Sequence, residues 1–248
     1  MPLTVHQFPC LSDNYGFLVR DDATGQVATI DTPDADAILA QLKSLGWSLD
    51  LILNTHWHPD HAGGNEALKA ATGATIVGPP EVTRIAPLDR SVGDGDTVML
   101  GDTALSVIDT GGHTLGHIAY FDAADQIAFV GDTLFALGCG RLFEGTAEQM
   151  WDSLSRLTAL PDATTVYCAH EYTASNARFA LSVDADPALK ARAEAIFAMR
   201  ERGEPTVPTT IGLEKATNPF LRAPLLRPNL PPAEAFGDIR AAKDGFKG

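Results

Sequence analysis

Four side chains that commonly bind metals lie within six positions, directly after the apolar run 51–53. They are His56, His58, Asp60 and His61. Histidine nitrogen and carboxylate oxygen suit zinc or a similar divalent ion. Alternate residues of an extended segment share a side, so His56 and His58 can reach one ion together. Asp60 and His61 follow where the chain turns toward the next helix, so they face elsewhere, which suggests two ions.

Ordinary surface or core histidines are the alternative, and they are the better explanation for any isolated histidine. The chain has seven histidines, and three of them lie in this histidine loop, residues 55–61. Such clustering beside an aspartate, at the end of an apolar strand, favours a metal site.

Three further ligand candidates each follow a later strand: His113, Asp132 and His170. The Gly-rich turn before His113 allows close backbone approach. Asp132 alone would be typical of a cap or turn, but beside two cations its carboxylate could bridge them. His117 opens a strand, which favours a hydrogen-bonded or core histidine over a ligand. Active sites of layered α/β proteins are commonly built at such strand-to-loop junctions.

The charge argues against a general nucleic-acid binder. The 248 residues carry 18 basic and 32 acidic side chains, a formal net charge of −14. Phosphate contacts need a basic face. An anionic substrate would therefore require a local cationic cluster, helped by the metal ions.

The expected location is the cytoplasm. No basic and apolar leader precedes the first strand, and no apolar run approaches the roughly 18 residues of a membrane span. The three cysteines, Cys10, Cys139 and Cys168, are an odd number at wide spacing, which fits a reducing compartment.

Apolar periodicity and turn residues predict an α/β protein. The predicted strands are 3–8, 15–20, 27–31, 50–54, 74–77, 97–100, 104–109, 117–121, 126–131 and 165–168. The predicted helices start at about 34, 65, 146, 187 and 232. Residues 78–96 are predicted to be a loop of undetermined role. Because strand signals stop near residue 173, the chain is predicted to comprise a metal-binding sheet domain, 1–172, and a helical domain, 173–248, packed against it.

The ligand series His56-x-His58-x-Asp60-His61, then His113, Asp132 and His170, resembles that of the metallo-β-lactamase superfamily. More narrowly, the sequence resembles glyoxalase II, the family of hydroxyacylglutathione hydrolases. The resemblance runs nearly end to end. The segment around Gly138-Cys139-Gly140 and the C-terminal helical sequence are specific to this branch. The matching stretches are 13–15, 55–65, 131–135, 138–146, 170–173, 205–208 and 218–220.

The resemblance implies a four-layer αββα sandwich with a C-terminal helical domain. It also implies that His56, His58 and His113 hold one ion, that Asp60, His61 and His170 hold the other, and that Asp132 bridges them. Asp60 and Asp132 would be the catalytic carboxylates. The ions would be two per chain, most simply zinc, with iron or manganese as alternatives.

Family substrate contacts map onto five residues: Arg141, Phe143, Tyr172, Arg240 and Lys243. Some members have Lys at the position of Arg141 and Tyr at that of Phe143, so a phenol contact is unavailable here. Arg240 and Lys243 are three residues apart and share a helix face, which suggests that they bind the carboxylates of glutathione.

The implied function is hydrolysis of S-(2-hydroxyacyl)glutathione, such as S-lactoylglutathione, to glutathione and a 2-hydroxy acid such as D-lactate. A metal-bound hydroxide would attack, in the second step of methylglyoxal detoxification. The partner would be this small thioester, without nucleic acid or membrane, and the protein would be a monomer.

Three alternatives are weaker. A mononuclear iron dioxygenase of the same superfamily would not need the second ligand set. A β-lactamase would need an export signal. A binding protein with a structural metal would need only four ligands, and seven are present.

Overall fold

The computed structural model describes residues 3–248, which form two compact units. One comprises the chain through Asp109 together with Gly116–Gly131, and the other comprises Thr110–Leu115 and Asp132–Gly248. The predicted domain boundary after residue 172 stays a prediction. Within residues 3–248, no helix combines the length and apolar character needed to cross a bilayer.

Strands dominate the first two thirds of the chain, and helices dominate the rest. The strands are β1 (Leu3–Cys10), β2 (Asn14–Asp21), β3 (Val27–Ile30), β4 (Leu51–Leu53), β5 (Thr75–Gly78), β6 (Arg90–Ser91), β7 (Thr97–Leu100), β8 (Thr103–Asp109), β9 (Ile118–Asp122), β10 (Ile127–Gly131), β11 (Leu134–Phe135), β12 (Gly138–Cys139), β13 (Thr165–Cys168) and β14 (Thr209–Thr210). The helices are α1 (Ala35–Leu45), α2 (Pro59–Ala62), α3 (Asn65–Thr72), α4 (Ala147–Thr158), α5 (Thr173–Val183), α6 (Pro187–Glu201), α7 (Ile211–Thr217), α8 (Ala223–Leu226) and α9 (Pro232–Asp244), with a short 3-10 helix at Pro80–Arg84.

The first unit contains two sets of strands. Strands β1 to β6 form one sheet in chain order, antiparallel from β1 to β3 and parallel from β3 to β6. Strands β7 to β10 form an antiparallel meander. Because β3 and β4 are parallel and pair Ile30 with Leu53, the residues that follow them emerge at the same sheet edge. The histidine loop is therefore delivered beside Asp31.

Helix α1 shows how sequence signals become packing. The Asp34 side chain accepts a hydrogen bond from the Ala37 N–H, and Gly46 ends the helix with a φ of 67°. Ile38 and Leu42 face a buried cluster that includes Ile52. Burying each such side chain contributes about 1.5–3 kcal/mol. In the second unit, α5 and α6 pack through a separate apolar cluster.

The predicted strands and longer helices are confirmed to within a few residues, but short elements were missed. The prediction that strands stop near residue 173 was wrong, because β14 pairs antiparallel with β13. Strand β14 has two residues, too few to show a period, and its partner alone defines it. Hairpin β11–β12, helices α2, α7 and α8, and strand β6, which lies in the predicted loop 78–96, were also missed, and so was the 11-residue helix α5.

A buried carboxylate joins two turns of the first unit. Asp21 Oδ1 accepts from the N–H groups of Ala23 and Thr24, while Oδ2 accepts from the N–H of Asp102 and from the N–H and hydroxyl of Thr103. Burial by itself raises the pKa of Asp21, but these hydrogen bonds outweigh it and lower the pKa to about 2. The folded state therefore favours the ionised carboxylate.

Asp21→Asn is expected to destabilise the metal-free protein by about 1.5–3 kcal/mol at pH 7, because an amide cannot replace all of these charge-assisted acceptors. Urea unfolding measures the loss. The folded pKa lies below the unfolded one, so the stabilisation is full above about pH 4 and declines as the pH falls toward 2, and the gap between parent and variant should narrow in acid. Asp22→Asn is the control, since Asp22 makes an exposed bond to Thr4. Equal unfolding midpoints for the two variants would contradict this role.

Candidate metal centre

Asp31 orients the start of the histidine loop. Its carboxylate is buried and accepts from the Thr55 N–H at 2.7 Å and from the Thr55 hydroxyl at 2.8 Å. The same carboxylate lies 2.8 Å from His61 Nδ1. The sequence analysis placed Asp31 at the end of the predicted strand 27–31 and gave it no role in the site. The signal that could have identified it was a polar residue at the end of a strand beside the ligand-bearing strand.

The contact with Asp31 fixes which nitrogen of His61 can bind a metal. A proton on Nδ1 is donated to the carboxylate, so Nε2 presents its lone pair. Nε2 lies 3.4 Å from Asp60 Oδ2, and this oxygen accepts a hydrogen bond from Asn14 at 3.0 Å. Two ligand atoms on one tetrahedral zinc ion, each about 2.0–2.1 Å from the metal, lie about 3.3 Å apart. The separation of Asp60 and His61 fits a shared ion.

His56 and His58 form the second pair of this loop. His56 Nδ1 lies 3.1 Å from the Thr55 hydroxyl, whose own proton goes to Asp31. His56 Nε2 then faces His58 Nδ1 at 3.0 Å. The ligand atoms of His56 also lie within 4.8 Å of those of His61. Within the first unit, the structure thus brings together the four residues that the sequence grouped.

His117 is fully buried behind these ligands. Its ring stacks on His56 with centroids 4.8 Å apart. Gly131, with a φ of 48°, passes so close that a Cβ would lie 2.6 Å from Thr55 Oγ1 and 2.7 Å from His117 Nε2. A side chain at position 131 would therefore displace both groups. The prediction that His117 is a hydrogen-bonded or core histidine, and not a metal ligand, stays a prediction.

In the second unit, Asp132 turns its two oxygens toward two histidines. Oδ2 lies 3.3 Å from His113 Nε2, and Oδ1 lies 3.3 Å from His170 Nε2. His113 Nδ1 lies 2.9 Å from the Arg141 carbonyl, which fixes its tautomer with the lone pair on Nε2. Both separations match those of ligands sharing a tetrahedral ion. The donor set fits divalent metal ions, and a carboxylate with one oxygen toward each histidine fits a bridging ligand.

Two aromatic side chains border these histidines. The Phe143 ring centroid is 5.2 Å from that of His113, and Phe143 is 62% exposed. Tyr172 stacks on His170 with centroids 4.7 Å apart and planes within 4°. Large exposed aromatics beside metal ligands offer an apolar contact surface to a substrate. The predicted substrate contacts of both residues stay predictions.

Lys243 lies among cations. Its ammonium donates to the carbonyl and the hydroxyl of Ser175, each at 3.2 Å. Burial, and then the positive charges of Arg240, Arg141 and Arg178, lower the pKa of Lys243 to about 8. Three of these four cations are the predicted glutathione contacts, so the second unit contains the local basic cluster that the sequence analysis required.

Arg240 has a structural role that the sequence did not reveal. It is buried, and its Nη1 donates to the Cys139 carbonyl at 3.0 Å while Nη2 pairs with Asp244 at 2.8 Å. The guanidinium also lies 4.9 Å from the centre of the Phe220 ring. Its predicted contact with glutathione stays a prediction beside this internal role.

Two family models match the chain in succession. Residues 22–170 match the model described as the metallo-beta-lactamase superfamily, and residues 171–246 match that described as the hydroxyacylglutathione hydrolase C-terminus. The chain is 57% identical over 250 residues to a hydroxyacylglutathione hydrolase of Erythrobacter litoralis (strain HTCC2594), covering 98% of this chain and 100% of the relative. It is also 57% identical over 253 residues to the enzyme of that name from Maricaulis maris (strain MCS10), covering 98% and 99%.

Solved structures show the same fold. ETHE1 from Myxococcus xanthus aligns with a TM-score of 0.68 and 28% identity over 98% of this chain and 100% of its own. TTHA1623, solved in a di-iron-bound form, aligns with a TM-score of 0.64 and 25% identity over 88% of this chain and 100% of its own. The predicted metallo-β-lactamase-like α/β sandwich with a C-terminal helical region is confirmed.

We expect the purified protein to bind two divalent ions per chain, and Asp132→Ala to lose more metal than His117→Ala. Asp132 is the residue whose oxygens face two ligand histidines, whereas His117 stacks behind one. Elemental analysis after dialysis should find at most one ion in the Asp132 variant and close to two in the His117 variant. The same metal loss in both would contradict the bridging role.

Proposed function

We propose, from the premise that this chain belongs to the metallo-β-lactamase superfamily and to its hydroxyacylglutathione hydrolase family, that it hydrolyses S-(2-hydroxyacyl)glutathione to glutathione and a 2-hydroxy acid. The observation that carries the hydrolytic chemistry is the Asp132 carboxylate, with one oxygen toward His113 and the other toward His170. The nearly full-length similarity to hydroxyacylglutathione hydrolases supports the choice of substrate class.

The seven predicted ligands act together in this proposal. The metallo-beta-lactamase model matches one continuous stretch, residues 22–170, which contains all of them. His56, His58 and His113 would hold one ion, Asp60, His61 and His170 the other, and Asp132 both. Zinc is the proposed metal because imidazole and carboxylate suit it, and iron or manganese would be alternative outcomes of metal analysis.

Two divalent ions bound there would supply a water of lowered pKa and a Lewis acid for the thioester carbonyl. The protein's own groups do the positioning. Asp31 and the Arg141 carbonyl hold His61 and His113 in the tautomer that leaves Nε2 available. Phe143 and Tyr172 provide an apolar border for the acyl group. The departing thiolate is a good leaving group, so no separate acid is required.

The cationic cluster would bind the carboxylates of glutathione. Lys243 and Arg141 supply positive charge in a protein whose net charge is −14. A local cluster can outweigh a repulsive overall field because salt screens charges beyond about 8–10 Å. Helix α9 would thereby bind the glutathione part of the substrate, while the loops at the strand ends would carry the catalytic residues.

We also propose a cytoplasmic monomer. All three cysteines are free and buried. Burial raises the pKa of Cys10 and Cys168 to about 12, which keeps both thiols protonated and poorly reactive. Size-exclusion chromatography with light scattering tests the oligomeric state.

The function is tested by metal-reconstituted protein and S-D-lactoylglutathione, with release of glutathione followed by a thiol reagent. Activity should disappear on chelation and return with added metal. Oxygen consumption with glutathione persulfide and hydrolysis of a β-lactam are measured on the same preparation. Either activity in place of thioester hydrolysis would overturn the proposal.

Lys243→Ala is expected to raise KM for the glutathione thioester about 10-fold with little change in kcat, because a charge-assisted contact made with bound substrate is lost. The pKa of Lys243, about 8, lies below that of an ordinary lysine, so the cation is lost as the pH rises through 8. Parent kcat/KM should therefore fall above pH 8, and the variant should lack this dependence.

An uncharged thioester and the variant Lys190→Ala are the controls, since Lys190 is exposed on α6. Neither should show the KM effect. A parent KM retained in Lys243→Ala would exclude Lys243 as a glutathione contact.

A further inference from the structure

Hairpin β11–β12 connects two parts of the site in the second unit. It begins two residues after Asp132 and ends two residues before Arg141, whose carbonyl holds His113. Its turn contains Leu137 in the left-handed region, with a φ of 56°. Such a backbone conformation costs free energy for a branched side chain, so the surroundings must hold it in place.

Side chains from the helical part of the chain hold this hairpin by its backbone. Asn218, which follows α7, donates from Nδ2 to the carbonyls of Phe135 at 3.2 Å and Gly138 at 2.9 Å. Asn176 of α5 donates to the Ala136 carbonyl at 3.1 Å. With the bond from Arg240 to the Cys139 carbonyl, four backbone carbonyls of the hairpin accept from these side chains.

The backbone N–H of Leu137 is hydrogen-bonded as well. Leu137 donates to Glu214 Oε2 at 2.9 Å, and Asn218 donates to the same oxygen at 3.0 Å. The other oxygen, Oε1, accepts from Thr209 at 2.5 Å and pairs with Arg192. Glu214 is fully buried and receives four donors, so its charge is compensated where a lone carboxylate would be costly.

The hairpin packs tightly against its surroundings. A Cβ on Gly138 would lie 2.3 Å from Asn176 Nδ2, and a Cβ on Gly140 would lie 2.0 Å from the Asp132 carbonyl oxygen. The Gly140 N–H bonds the Thr133 carbonyl at 3.2 Å. A shift of the hairpin would therefore also move the residues on either side of it.

We propose that Asn176, Glu214, Asn218 and Arg240 form a clamp that positions hairpin β11–β12 and, through the Arg141 carbonyl, orients His113 for metal binding. The clamp residues are positioning residues. This role rests on the proposed metal-dependent hydrolysis and adds to it a second purpose for the helical region: besides reading the substrate, it completes the metal centre.

Asn218→Ala removes two bonds to the hairpin and tests the clamp. Removing groups that orient a metal ligand typically weakens metal binding about 10- to 100-fold. We expect Zn²⁺ affinity, measured by competition with a chromophoric chelator, to fall about 10-fold, with a comparable loss in kcat. If this variant does not fold, the same Zn²⁺ affinity is measured on Asn176→Ala, which removes only the bond to Ala136.

Asp184→Asn is the matched control. Asp184 is also buried in the second unit, but it pairs with Arg222 at 2.8 Å and so loosens the helical region at another place. Its Zn²⁺ affinity should stay within about twofold of the parent at a similar loss of stability to urea. Equal weakening of Zn²⁺ binding in the clamp variants and in Asp184→Asn would overturn the proposal.

The experiments can contradict the proposed hydrolysis without contradicting the clamp. A parent that binds Zn²⁺ yet releases no thiol from the glutathione thioester would contradict the substrate assignment, while the affinity comparison would still decide the clamp.

Discussion

An imidazole can bind a metal only through a nitrogen that carries no proton, and much of this structure serves that requirement. Three of the five rings are held by a hydrogen bond on the other nitrogen: His61 by Asp31, His56 by the Thr55 hydroxyl, and His113 by the Arg141 carbonyl. Such bonds fix both the tautomer and the direction of the ring. The parallel pairing of β3 with β4 is what sets Asp31 beside the histidine loop.

Two buried carboxylates elsewhere are likewise held by several hydrogen-bond donors. Asp21 joins two turns in the first unit through five donors, and Glu214 joins the hairpin to the helical region in the second through four. A buried charge lacking donors would cost several kcal/mol, so each arrangement is stable only as a whole. In the second unit, the hairpin that lies between Asp132 and Arg141 is thereby held through its backbone.

The cationic cluster, in contrast, places like charges close to one another. Burial, and then the nearby positive charges of Arg240 and Arg141, lower the pKa of Lys243 to about 8. Like charges held together are unfavourable until an anion arrives, so the cluster is expected to bind a carboxylate more strongly than an isolated lysine would. An acidic protein can accommodate an anionic substrate in this way.

The sequence by itself identified the candidate ligands through their spacing, most of the regular elements through apolar periodicity, and the family through its resemblance. The predicted family and hydroxyacylglutathione hydrolase function are confirmed by the comparisons. Only the tertiary structure revealed Asp31, Glu214 and Asn218, since each acts on a segment distant in sequence. It also decided that Arg240 is bonded to Cys139, because helix periodicity gives the face of a side chain and not its partner.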